Sequence, residues 1–160
     1  LGCNQVLIKT NPGEENEAKA AQLNKAIGDL CMLPDTQVID ISSFYESEPA
    51  YFEDQDSFVN AVVLIRTGIP PRELLGYLHA VESSLGRVRN QANGPRTCDL
   101  DILDYQLYLS DEPVLMLPHP KLEERDFVVQ PLLEILPGHV LANGHRVSAD
   151  TVTVGKAKRI

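Results

Sequence analysis

A chain of 160 residues with 43% hydrophobic and 23% charged content is long enough for one core-bearing soluble domain. Its net charge of −9 argues against a general nucleic-acid binder, and no run approaches the roughly 18 apolar residues that span a bilayer. The cysteines Cys3, Cys31 and Cys98 share no metal-ligand spacing and no signal peptide is visible, so reduced thiols in a cytoplasmic protein are expected.

One domain over residues 1–160 is expected, since no repeat or linker divides the chain. Leu1 to Asn4 reads as the end of a strand, and the apolar residues that should precede Gly2 are not there, so that strand is expected to be incomplete. A helix is predicted from Glu15 to Cys31, where Ala20, Leu23, Ile27 and Leu30 recur at helical spacing behind an acidic first turn. Gln37 to Tyr45 alternates as a strand does, and Phe58 to Ile65 is a buried strand rich in valine. Pro70 and Pro71 open a second helix with Leu74, Leu75, Leu78, Val81 and Leu85 inward and Gly86 as its C-terminal cap. Asp99 to Leu109 is a further strand, followed by a Pro118-His119-Pro120 turn and a short helix from Phe127 to Ile135. The tail, with Gly144 and Gly155, adds a small hairpin or an edge. The order is βαββαβ, which predicts an α+β ferredoxin-like sandwich: an antiparallel sheet with helices on one face, plus C-terminal additions.

The richest stretch runs from Arg87 to Leu103. Between Ser83 and Cys98 there are three arginines (Arg87, Arg89, Arg96) and no acid, directly ahead of Asp99 and Asp101. Guanidinium groups grip phosphate oxygens bidentately, and paired carboxylates hold a hard divalent cation. A magnesium-bound polyphosphate satisfies both. On a strand the two aspartates share one face about 7 Å apart, suited to one Mg²⁺ between them or two side by side. Gly94-Pro95 turns the chain just before Arg96, and the polar loop from Asn90 to Asn93 is suited to closing over a nucleotide.

Read singly, these residues have blander roles. An Asp-x-Asp is common on a half-buried strand, and phenylalanines such as Phe58 and Phe127 are more often core than ligand stack. His119 between prolines could cap a turn, His79, His139 and His145 look structural or solvated, and Cys98 reads as a small buried filler. Asn60 inside an apolar strand is harder to dismiss, because a buried amide wants partners.

Gly94-Pro-Arg-Thr-Cys-Asp-Leu-Asp-Ile-Leu103 resembles the signature of the 6-hydroxymethyl-7,8-dihydropterin pyrophosphokinase family of folate biosynthesis. Leu1-Gly-Cys-Asn4, Ser43 to Pro49, Phe58-Val-Asn60, Glu82 with Gly86-Arg-Val-Arg89, and Pro118-His-Pro with Arg125-Asp-Phe127 fall in the family's order. The resemblance implies transfer of the β,γ-diphosphate of ATP to the hydroxymethyl group of the pterin, with release of AMP. It assigns two Mg²⁺ ions to Asp99 and Asp101. Arg87, Arg89, Arg96, His119 and Arg125 would contact the nucleotide, Arg87 and Arg96 serving catalysis with the aspartates, and Glu82 would lie near the adenosine. Phe58 and Phe127 would sandwich the pterin, and Asn60 and Ser47 would bind its edge.

The chain departs from the family at Asn93, where an aromatic is common and the loop is a residue short, and at His79 and Met116 near the nucleotide. The expected partners are ATP and hydroxymethyl-dihydropterin, with no nucleic acid and no membrane, and a monomer is slightly favoured. Two other readings compete: a two-metal nucleotidyltransferase, and a non-catalytic module binding RNA or a small regulator. The acidic charge and the lack of a close aromatic pair on a strand weigh against RNA.

Overall fold

The computed structural model describes residues 3–10, 16–47, 58–87, 98–153 and 155–160. Eight strands are described: β1 (Cys3–Thr10), β2 (Thr36–Ile41), β3 (Tyr45–Ser47), β4 (Phe58–Thr67), β5 (Cys98–Tyr105), β6 (Ser110–Glu112), β7 (Leu115–Leu117) and β8 (Ala157–Arg159). The helices are α1 (Asn16–Cys31), α2 (Pro71–Arg87) and α3 (Asp126–Ile135). The main sheet is antiparallel, ordered β5-β1-β4-β3-β8, with β2 also paired to β4, and β6 and β7 form a separate hairpin.

The first strand corrects the sequence reading. Cys3–Thr10 occupies a central position, paired with β4 on one side and β5 on the other, and Asn4 lies near the start of that strand rather than at its end. The apolar run Val6-Leu7-Ile8 has the composition of a strand.

The predicted strand over Gln37–Tyr45 is split between β2 and β3. Its register slips around Ile39, where the Asp40 carboxylate accepts the Ile41 N–H at 2.8 Å. At Ser42 the side chain takes over from the ladder: its Oγ accepts the Val62 N–H at 2.9 Å, while Ser43 N–H turns to the Glu134 carboxylate at 3.0 Å. Backbone groups satisfied by side chains no longer continue the strand. The strand predicted to reach Leu109 ends at Tyr105, in a turn closed by Tyr108 N–H on Tyr105 O at 3.0 Å with Leu107 at φ 61°. Gly86 lies inside α2 rather than beyond its end.

Two apolar cores cover opposite faces of the sheet. Leu23 and Leu30 of α1 and Leu74, Leu78 and Leu85 of α2 pack on Val59, Val63, Ile65, Leu100 and Ile102. On the other face, Phe127, Val128 and Leu132 of α3 meet Val62, Leu103, Leu122 and Val147. The first two helices thus share one face, as expected, and α3, which follows β5, covers the other. Beside it, Asp104, 2% exposed, accepts the Ala142 N–H at 3.1 Å and faces His139 Nε2 at 3.1 Å, which pins the C-terminal segment beneath β5. No helix among the described residues is long and apolar enough to cross a membrane.

Candidate functional site

Strand alternation assembles the site on the α3 face of the sheet. Leu100 and Ile102 of β5 are buried toward α1 and α2, so Asp99 and Asp101, both half-buried, face the other way. Asp101 and Val62 both register with Leu7, while Asp99 and Asn60 both register with Lys9. Residues directly opposite in antiparallel pairs share a face, so Asn60 and Asp99 stand in one row, about 10 Å apart across two strand spacings.

Asn60 is wholly buried. Its Nδ2 donates to Ser47 Oγ at 2.7 Å, and its Oδ1 has no hydrogen-bond partner among the described residues. Ser47, 1% exposed, stands opposite Phe58 in the β3–β4 ladder. A buried acceptor without a partner costs about 1–3 kcal/mol, so it marks a place where a ligand group belongs. A second such atom is Arg125 Nε at the start of α3, also buried without a partner among the described residues. The Arg125 guanidinium stands 5.6 Å from the centre of the buried Phe127 ring.

His119 and Asp101 share a cleft of about 180 Å³ with Leu75, Ile102, Leu115 and Met116. The histidine is held by its own N–H on Leu103 O at 2.7 Å, and its Nδ1 accepts the Lys121 N–H at 3.3 Å, which leaves the neutral ring's proton on Nε2. Burial pushes His119 below the ordinary 6.5, the Asp101 charge pulls it up, and Arg125 and Lys121 push it down again, for a net lowering. It is therefore neutral at about pH 7. The lining combines apolar side chains with a carboxylate and an imidazole.

The predicted residues divide accordingly. Asp99, Asp101, Asn60, Ser47, Phe127, Arg125 and His119 come together on this face. Glu82 is buried on α2, where its charge, like that of Asp99, acts on Cys98, and its place near the adenosine stands as an expectation. Burial, with the charges of Asp99 and Glu82, pushes the Cys98 thiol up to about 12, so it stays protonated and is no nucleophile. Arg87 ends α2, its side chain lies outside the described residues, and Arg89, Asn93 and Arg96 lie outside them altogether. The expectations for the three arginines and the shortened loop therefore stand as expectations.

Glu134 escaped the sequence reading. Its carboxylate accepts from the Tyr45 hydroxyl at 2.7 Å, the Ser43 hydroxyl at 2.9 Å and the Ser43 N–H at 3.0 Å, and Arg159 Nη2 lies at 3.3 Å. A lone acid in the apolar run Pro131-Leu-Leu-Glu-Ile135 was the available signal. Burial pushes this carboxyl up, but the hydrogen bonds from Tyr45 and Ser43 and the charge of Arg159 outweigh it, leaving it below the ordinary 4.5. A depressed folded-state pKa contributes stability that is complete above 4.5 and is lost as pH falls through the folded value. The stability advantage over Glu134→Gln is thus expected to be full at about pH 7 and to shrink at about pH 3, as read from urea midpoints. An advantage that does not change between those pH values would contradict the ionised role.

A family model described as 7,8-dihydro-6-hydroxymethylpterin-pyrophosphokinase (HPPK) matches residues 9–137. The 2-amino-4-hydroxy-6-hydroxymethyldihydropteridine pyrophosphokinase of Haemophilus influenzae is 38% identical over 136 residues, covering 85% of this chain and 85% of that protein. The Bacillus subtilis protein of the same name is 42% identical over 113 residues, 71% of this chain and 68% of its own. The folic acid synthesis protein fol1 of Schizosaccharomyces pombe is 38% identical over 80% of this chain, and the chain spans only 18% of that relative's length. Among solved structures, an HPPK-DHPS in complex with substrates superposes with a TM-score of 0.69 over 94% of this chain and 42% of that one, at 12% identity, a likeness of fold alone. With the family match running from β1 through α3, the chain belongs to the 7,8-dihydro-6-hydroxymethylpterin-pyrophosphokinase family.

Proposed function

We propose that this protein transfers the diphosphate of ATP to the hydroxymethyl group of 6-hydroxymethyl-7,8-dihydropterin, releasing AMP, as a step of folate biosynthesis in the cytoplasm. The observation that carries this reading is the single sheet face on which the orphaned Asn60 Oδ1 stands in one row with Asp99. The sheet order β5-β1-β4 with β2 and β3 both on β4 supports the ferredoxin-like arrangement.

The pterin's amino and ring N–H groups match a buried carbonyl oxygen, which Asn60 supplies while Ser47 holds its amide in place. Phe58 and Phe127 stack against the faces of the heteroaromatic ring. The base of ATP packs on the apolar side chains of the cleft, Leu75, Ile102 and Leu115, and its phosphates run past His119 toward Arg125. His119 offers Nε2–H and Arg125 its free Nε–H to phosphate oxygens, and Arg87, Arg89 and Arg96 add charge from the preceding loop.

Asp99 and Asp101 fit magnesium: two hard, half-buried carboxylates on one face, with the remaining ligands left to water and phosphate. Two such ions, when bound, would neutralise charge on the transferred phosphates. In the reaction the pterin hydroxyl oxygen bonds to the β-phosphorus as the bond to the bridging α,β-oxygen breaks. AMP leaves with that oxygen, and the hydroxyl proton passes to a carboxylate or to water. The residues work by in-line positioning and charge neutralisation rather than covalent chemistry.

Incubation with ATP, Mg²⁺ and hydroxymethyl-dihydropterin is expected to yield AMP and the pterin diphosphate. Release of inorganic pyrophosphate with a nucleotidylated product would instead establish the nucleotidyltransferase reading and overturn this one.

A further inference from the structure

The reading above needs the ring faces and the ring edge of the pterin to be met at once, yet those contacts come from separate elements. Phe127 rides on α3, whereas Ser47 and Asn60 sit on β3 and β4. The separation between helix and strand therefore sets the width of the pocket.

That separation is held at both ends of α3. At its start, Asp126 Oδ2 accepts the Ala157 N–H at 2.8 Å and Gln130 Nε2 at 2.6 Å, and Gln130 Nε2 also donates to Ala157 O at 3.1 Å. Ala157 stands opposite Ser47 in the β3–β8 ladder, and Arg159 opposite Tyr45. At its end, two helical turns beyond Phe127, Glu134 gathers Ser43, Tyr45 and Arg159. Strand β8 is laced between helix and strand, although it lies outside the residues 9–137 matched by the family model.

The geometry points to Glu134 as a positioning residue for the pterin: its carboxylate holds β3 against α3, fixing Ser47 and Asn60 at the distance from Phe127 that a flat heteroaromatic ring requires. This rests on the reading that Phe127, Ser47 and Asn60 hold the pterin. The site of action is chemically specific. A carboxylate has acceptor sites enough for both Ser43 donors, the Tyr45 hydroxyl and Arg159, whereas a glutamine presents one acceptor oxygen and turns an NH₂ toward a donor. The Ser43 N–H bond also replaces a ladder bond at the break between β2 and β3, so losing it frees the bend from which β3 sets out. The nucleotide cleft, built from α2, β5 and the β6–β7 hairpin, shares none of these contacts, and Arg125, the one nucleotide contact on α3, caps the end of the helix remote from Glu134.

Steady-state kinetics with each substrate varied, on wild type, Glu134→Gln and Tyr45→Phe, tests the assignment. Glu134→Gln is expected to raise KM for the pterin about tenfold or more while KM for ATP stays within about twofold, and Tyr45→Phe, which removes one bond, to raise it about threefold in the same selective way. Unchanged pterin KM in both variants, or pterin and ATP KM rising together, overturns the proposal in favour of a general structural role. If Glu134→Gln shows no cooperative thermal transition, Tyr45→Phe decides alone by the same criterion. A wild-type protein that forms no AMP with the pterin overturns the proposed function and this inference with it, whereas normal wild-type turnover with unshifted variants overturns this inference only.

Discussion

Asp101→Asn is expected to lower the rate of AMP formation by about 10³ or more while leaving the thermal midpoint within a few degrees of wild type. The asymmetry follows from where the side chain stands. Leu100 and Ile102, not Asp101, anchor β5 in the core, and the aspartate is half-buried at the rim of a cleft. An amide of the same shape preserves packing but cannot carry the negative charge that a divalent cation needs. It also removes the one charge that pulls His119 upward, so His119 becomes harder to protonate and stays a neutral donor. A rapid-quench assay of AMP, run beside thermal unfolding, separates the two effects. Activity within about tenfold of wild type would remove Asp101 from the metal site.

Asn60→Leu should produce the opposite pattern of stability and function. The wild-type amide is fully buried with an unmatched Oδ1, a cost in the empty protein of about 1–3 kcal/mol. Leucine removes that acceptor and extends the apolar run of β4, so the urea midpoint is expected to hold or rise despite the loss of the Ser47 bond. Pterin affinity is expected to fall about a hundredfold, the effect of leaving the ligand's polar edge unpaired in a dry pocket. Calorimetric titration with the pterin provides the affinity, and equilibrium unfolding provides the stability. A variant destabilised by more than about 2 kcal/mol that still binds pterin normally would make Asn60 a structural amide.

Much of this site could be read from local rules. The period-two pattern of Cys98–Tyr105 placed Asp99 and Asp101 on one face and Leu100 on the other, as the structure has them. The helical spacing of Leu74, Leu78, Val81 and Leu85 likewise marked the buried side of α2. The reading failed where a side chain replaced a neighbour's backbone partner. Ser42 and Glu134 divide one alternating segment into β2 and β3, and alternation alone carries no trace of a carboxylate arriving from 91 residues away. It failed again at β1, where the strand came from Cys3–Thr10, a stretch whose Val6-Leu7-Ile8 run was passed over.

The groups proposed for the site, two aspartates, an amide, phenylalanines, a histidine and arginines, were read from the sequence alone, because chemistry belongs to residue type and alternation belongs to the backbone. Their arrangement was decided only in three dimensions. Whether Asn60 and Asp99 share a row depends on the register of β1 between them, and register is set by pairing partners distant along the chain. Where Glu82 stands depends on which face of the sheet α2 covers, and the tertiary structure brings its charge, with that of Asp99, to bear on Cys98. The second layer, α3 held to β3 by Glu134, depends on contacts between residues far apart in sequence, and no local propensity encodes those.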